Sequence, residues 1–293
     1  MAITERPAWV DDELFPFASQ FLDIDGHRVH YVDEGAGPTL LFLHGNPTWS
    51  FDYSVVITHL KAEFRCIAVD YPGFGLSTAA PGYRYLPTEH AEIVGRFVEM
   101  LGLRNVTLVG HDWGGPIGLA VAQQRPETFD RLVLTNTWAW PVSDPLIQVM
   151  SHVMGSPIGR LLIRQLNLFV NQMIPIGHRL TTPTSAQMDH YRNALDSPAR
   201  REGSAVFPRE ITSSRAFLAD IEAGLKVMEA LPTLIIWGDG DFAFGDKELR
   251  RWQQIFTDNE AVIVSGAGHF VPSDAPEQFA AAIRRWHNQP GSR

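Results

Sequence analysis

Cysteine is almost missing from this chain of 293 residues. The one present, Cys66, has no partner for an internal disulfide and reads as a small core thiol inside the apolar run 64–69. Long apolar runs are missing too. None approaches the ~20 residues that a bilayer span requires, and the opening stretch MAITERPAWVDDELFPF has no positive segment followed by an apolar one, so no secretory signal is expected. Positive charge is in deficit: 24 Lys and Arg stand against 33 Asp and Glu, a net charge of −9. That balance argues against nucleic acid and anionic membranes as partners, but not against a small neutral substrate. A cytoplasmic location fits these absences. The length allows one large domain, or a domain carrying an insertion.

What is present is a rhythm of strands and helices. Residues 20–35 read as two short strands joined at Asp25-Gly26, a hairpin signal. His27 and His30, three apart on a strand, face opposite sides and make no metal pair. Buried strands are expected at 40–43, 64–69, 106–109, 131–134, 233–237 and 261–264, with helices at about 88–102 and 276–287. Alternation of this kind implies a parallel sheet with helices on both faces. The rhythm breaks at Pro141. From there to about Ser214 the chain is helix-rich, studded with prolines, and shows no buried strand. The simplest organisation is a core of residues 1–140 and 215–293 with a helical cap, 141–214, over the carboxyl ends of the strands, where open sheets bind ligands.

The most informative segment is VTLVGHDWGGP, 106–116. It reads as a buried strand, a sharp turn, and the start of an Ala/Leu-rich helix. Gly110-His111-Asp112-Trp113-Gly114 is the Gly-x-nucleophile-x-Gly pattern of a strand-to-helix elbow, with aspartate where a serine hydrolase keeps serine. The N–H groups of a nascent helix favour negative charge at the tip. A carboxylate there is already ionised near neutral pH and can attack an sp³ carbon bearing a good leaving group, forming an ester. His111 should point away from the tip and reads as a packing residue.

Three further pieces fall at strand ends. Gly238-Asp239-Gly240-Asp241 follows the strand at 233–237, and Gly266-Ala267-Gly268-His269-Phe270 follows the strand at 261–264. The order nucleophile, acid, histidine is the one this architecture uses. His269 would be the general base and Asp241 the acid that fixes its tautomer, with Asp239 as the competing acid. Taken alone, His269 is a loop histidine and Asp241 a turn aspartate. The last piece is His44-Gly45-Asn46-Pro47. The backbone N–H of Asn46 can join that of Trp113 as an oxyanion hole. Their side chains offer one amide and one indole donor, both uncharged, which suits a leaving halide that must later depart. An Arg would hold an anion more tightly.

These residues carry a resemblance. HGNPTWS (44–50), DYPGFGLS (70–77), GHDWGG (110–115), WGDGD (237–241) and GAGHF (266–270) are similar to the motifs of the haloalkane dehalogenases of the α/β-hydrolase superfamily. In the cap, NLFVNQMIP (167–175), HYRNAL (190–195) and AVFPREI (205–211) share it. The resemblance spans residues 20–288. It implies the α/β-hydrolase fold, a mostly parallel central sheet flanked by helices with an inserted helical cap. It also implies Asp112 as nucleophile, His269 as base, Asn46 with Trp113 as halide clamp, and no metal or organic cofactor. Some members carry the acid as a glutamate after the strand before the cap. That position here is Asn136, so the acid falls to Asp241, a pattern resembling the third dehalogenase subfamily. The implied partners are a small apolar halogenated substrate, water and halide ion. Phe169, Phe207, Phe242 and Phe244 are candidates to line an apolar pocket.

Two other readings remain open. An epoxide hydrolase shares the elbow and the His–Asp pair, but needs cap tyrosines as proton donors, and 141–214 holds only Tyr191. A non-catalytic member of the fold would keep the pocket for binding alone. Gly75-Leu76-Ser77 lacks the second glycine of a serine elbow and belongs to a loop.

Overall fold

The computed structural model describes residues 5–289. The ends of the two expected core segments, 1–4 and 290–293, lie outside the described residues, as does the start of the N-terminal stretch read for a secretory signal. Eight strands form one sheet: β1 (Gln20–Ile24), β2 (His27–Glu34), β3 (Thr39–Leu43), β4 (Arg65–Val69), β5 (Val106–His111), β6 (Phe129–Thr135), β7 (Thr233–Gly238) and β8 (Asn259–Val264). Their spatial order is β1-β2-β4-β3-β5-β6-β7-β8. β2 pairs antiparallel with β1 and β4, and every other pairing is parallel. The β1–β2 turn places Asp25 at φ 49° and Gly26 at φ 82°, the left-handed pair that a tight hairpin demands.

The central strands are buried on both faces, which is why they read as unbroken apolar runs. In β3, Leu41 and Leu43 join one hydrophobic cluster while Leu40 and Phe42 join the other, on the opposite face of the sheet. The chain steps outward from β3 to β4, then returns to the other side of β3 as β5. The crevice above the ends of β3 and β5 is therefore the topological switch point of the sheet. The register brings Leu43 beside Gly110, so the loops after both strands begin at the same level.

Between β6 and β7 the chain makes helices Pro145–Gly155, Pro157–Leu166, Ile174–Gly177, Ser185–Ala194, Glu202–Ser213 and Arg215–Gly224, with a π-turn at Phe169–Met173. Two of the prolines in this stretch start helices: Pro145 and Pro157 sit in first turns, where a missing N–H costs nothing. Asp144 and Ser156 cap the two helices by accepting from Leu146 and Gly159. Helix Arg215–Gly224 packs back on the elbow helix, where Gln123 donates to the Ile221 carbonyl at 2.6 Å. Among the described residues no single helix is long and apolar enough to cross a membrane.

Candidate active site

β5 ends at His111 and helix Gly114–Gln124 begins three residues later. The chain must reverse on Asp112, which takes φ 48°, a left-handed conformation costing a non-glycine residue ~1–2 kcal/mol. Its neighbours hold it there. Asp112 N–H donates to the Asn136 carbonyl at 3.2 Å, and the Thr137 hydroxyl donates to the Asp112 carbonyl at 2.6 Å. Two glycines permit the close approach. A Cβ on Gly114 would lie 2.0 Å from the Leu43 carbonyl oxygen, and one on Gly45 would lie 2.5 Å from Asp112 Oδ2.

The Asp112 carboxylate is buried and faces two backbone donors. Asn46 N–H donates to Oδ2 at 2.9 Å, and Trp113 N–H donates as well. Burial lifts the carboxyl above its ordinary range, while the His269 cation and these two N–H groups work against that rise. The Asn46 amide nitrogen lies 3.4 Å from the Ser204 carbonyl. One of its two N–H groups is thus engaged by helix Glu202–Ser213, and the second remains for another acceptor.

His269 stands across from this carboxylate. Its Nδ1 donates to Asp241 Oδ2 at 2.9 Å, both side chains being buried. Asp239 instead accepts from Gly266 N–H at 2.6 Å at the surface, so of the two candidate acids it is Asp241 that meets the histidine. Asp241 is itself fixed: Ala243 N–H donates to Oδ1 at 2.7 Å and the Asn136 amide to Oδ2 at 2.8 Å. Burial pulls the His269 imidazole down, but neighbouring carboxylates, led by Asp241 and followed by Asp112, push it up to about 9. Burial raises Asp241, and its partners, led by His269, more than reverse this.

Above these groups lies a cavity of about 380 Å³ with an almost wholly apolar wall. Asn46, Asp112, Trp113 and His269 form its floor. Phe169, Phe242 and Phe244 line it, but Phe207 does not. Phe207 is fully buried behind Trp113, stacked on the indole with ring centroids 5.0 Å apart at 30°. Its position in helix Glu202–Ser213 turns it toward the core, so its part is to brace Trp113. Most of the remaining wall was not singled out from the sequence: Trp138, Val142, Ile147, Met150, Met154 and Met173. Trp138 meets Trp113 edge-on at 4.8 Å and stacks on Phe244 at 5.3 Å. Asn136, set aside as unable to serve as an acid, holds the acid in place. Its place at a strand end was the available signal, and the pairing of that strand with the one preceding Asp241 is what brings the two together. Tyr191 is absent from the cavity wall and donates to Asp52 at 3.0 Å, so the proton donor required for epoxide opening is turned elsewhere. Asp274, also missed, ties the His269 loop to the cap side, accepting from the N–H groups of Gly268, Arg179 and Thr181.

Residues 38–276 match the α/β hydrolase fold family. The chain is 44% identical over 277 residues to haloalkane dehalogenase 2 of Mycobacterium tuberculosis, covering 93% of this chain and 96% of the relative. It is 31% identical over 285 residues to a cis-3-alkyl-4-alkyloxetan-2-one decarboxylase of Shewanella oneidensis, covering 94% and 90%. Among solved structures, the haloalkane dehalogenase DatA of Agrobacterium tumefaciens superposes with a TM-score of 0.83 at 26% identity, covering 92% of this chain and 95% of that one.

Proposed function

This chain belongs to the haloalkane dehalogenases of the α/β-hydrolase fold, and we propose that it cleaves carbon–halogen bonds through an ester on Asp112. It is a hydrolase of haloalkanes. The observation that carries the residue assignment is a buried carboxylate at a strand-to-helix elbow, held by the Asn46 and Trp113 N–H groups, opposite a His269–Asp241 pair and open to an apolar cavity.

In the first step an Asp112 oxygen attacks the halogen-bearing carbon in line. The C–O bond forms as the C–X bond breaks, and the Asn46 amide and Trp113 indole donors absorb the charge growing on the halogen. Ester formation also removes a negative charge beside His269. With that carboxylate gone, one of the groups holding the imidazole at about 9 is lost, burial weighs more, and the ring releases its proton. His269 is then free to take a proton from water attacking the Asp112 carboxyl carbon. The two backbone N–H groups hold the oxyanion, the alcohol leaves, and the carboxylate returns. Haloalkane and water become alcohol, halide and a proton.

Residues 141–214 act as the cap, lending the cavity its apolar roof. An Asp acid combined with an Asn46–Trp113 clamp fits the third dehalogenase subfamily. The test is halide release from 1-bromobutane and 1-iodobutane by the wild type and by Asp112→Ala. Release by the first and not the second supports the assignment; release by both overturns it. Identity with the Shewanella relative favours one second reading, action on a cis-3-alkyl-4-alkyloxetan-2-one. It is tested by carbon dioxide release on the same preparation.

A further inference from the structure

Beneath His269 lies a second buried carboxyl that the mechanism above does not use. Asp52 is fully buried, and both of its hydrogen-bond donors fall on one oxygen: Tyr191 O–H at 3.0 Å and Ser273 O–H at 2.7 Å, each to Oδ1. Oδ2 has no partner among the described residues. It faces His111 Nδ1, 3.8 Å away, which also has none.

Proton counting decides what this contact is. His111 Nε2 lies 2.8 Å from the His269 carbonyl oxygen. A carbonyl only accepts, so Nε2 carries the hydrogen, and in the neutral ring Nδ1 is then a bare acceptor. A bare nitrogen facing a bare carboxylate oxygen leaves two buried acceptors unsatisfied. One proton removes the conflict. A neutral carboxyl has one oxygen that only accepts and one that donates, which is the division Asp52 displays.

We propose that Asp52 is held as the neutral acid, with its proton on Oδ2, the oxygen that faces His111 Nδ1. His111, through Nε2, braces the main chain of His269. Asp52 is thus a positioning residue for the base.

The electrostatics shift Asp52 in the same direction. Burial raises it to about 6, against the hydrogen bonds from Ser273 and Tyr191, and an unprotonated Nδ1 facing Oδ2 favours the neutral form further. Burial lowers His111 to about 3, so the shared proton resides on the carboxyl. The titratable groups facing Asp52 are His111 on the site side and Tyr191 on the other, with the buried Tyr53 beside it in the chain. His178 is reached through Ser273, at 3.0 Å. Ser273 has one hydrogen, and its shorter contact is the one with Asp52. His269 and Asp112 act on Asp52 through space. A separate cavity of about 330 Å³, lined by Asp52, Tyr191, Ser273, His178 and Glu277, meets Asp52 from the side away from the substrate pocket. Ionisation of Asp52 would add a negative charge that holds the proton on His269 and slows ester hydrolysis.

The proposal rests on His269 as the base, so its test has one arm that does not. Asparagine reproduces the neutral acid: its oxygen accepts from Tyr191 and Ser273, and its amide presents an N–H toward His111. Infrared difference spectra of wild type against Asp52→Asn should show the carbonyl band of a buried protonated carboxylic acid, vanishing as pH rises. In rapid-quench experiments with 1-bromobutane, Asp52→Asn should hydrolyse the ester within about twofold of wild type and keep that rate at the alkaline pH where wild type slows. Asp52→Leu should hydrolyse it about tenfold slower with an unchanged halide burst, because His111 is left unsatisfied. Should Asp52→Leu fail to fold, the asparagine variant and the infrared band decide alone. Absence of an acid band, or an asparagine variant that hydrolyses the ester at least about tenfold slower than wild type, overturns the proposal. A band without dehalogenation would overturn the functional reading and leave the proton assignment standing.

Discussion

The floor and the roof of the substrate cavity are built by opposite means. On the floor every reacting group is tied down by hydrogen bonds from a loop at a strand end: Asp112 by Asn46 and Trp113, His269 by Asp241, Asp241 in turn by Ala243 and Asn136. The roof is apolar side chains, methionine and isoleucine among them, mostly from the segment between β6 and β7, and they meet the cavity through packing contacts. Floor geometry is fixed by directional bonds that tolerate little displacement, whereas the roof is a shape that neighbouring side chains can refill. In the proposed mechanism chemistry belongs to the first and substrate choice to the second, and the two should break differently.

The largest effect should come from the floor. Asp241→Asn keeps the size of the acid but removes the charge that selects the His269 tautomer, and turnover should drop on the order of 10⁴-fold with a folded protein. Circular dichroism with steady-state halide release checks it. Asn46→Ala comes next. The backbone donor to Asp112 survives while the side-chain donor is lost, so halide release should slow by about 10²-fold in single-turnover experiments. The ester-hydrolysis step, which uses only the backbone N–H, should change little.

The pH dependence sharpens the same contrast. Folding raises His269 from 6.5 to about 9. Its contribution to stability is therefore fully present below pH 6.5 and is lost as pH rises through about 9. The wild-type melting temperature should fall across that window, and a His269→Phe variant should lack this fall. Hydrolysis of the alkyl-enzyme should titrate at a lower pH than His269 of the free enzyme, since the ester has removed the Asp112 charge. Nuclear magnetic resonance titration and rapid quench compare the two directly.

The smallest effect should come from the roof. Met154→Ala enlarges the cavity without touching a reacting group, and should shift the preference between short and long 1-bromoalkanes by about tenfold while sparing the chemical step. A loss of activity on every chain length would instead make Met154 part of the catalytic floor.

The same division governs what could be read from the sequence. Asp112, His269, Asp241 and Asn46 each follow a short apolar run and stand among glycines. Strand ends in a parallel sheet have a common level, so a linear motif translates directly into position. Asn136 obeys the same logic and was legible as a strand-end residue, though its service to Asp241 depends on which strands pair. Roof residues have no such rule. Phe169 and Phe207 stand among similarly apolar neighbours, yet one lines the cavity and the other backs Trp113, because the turn that each helix presents is decided by packing between distant segments. Asp52 was illegible for the same reason: its partners Tyr191, Ser273 and His111 come from three separate parts of the chain.

The central claim is that Asp112 forms an ester which His269 is required to break. The measurement that tests it most directly is intact-protein mass spectrometry of His269→Phe after exposure to 1-bromobutane, paired with a count of bromide released. The account predicts about one bromide per enzyme and a protein heavier by one butyl group, located on the peptide containing Asp112. Continued turnover, or bromide release with no adduct, would contradict it.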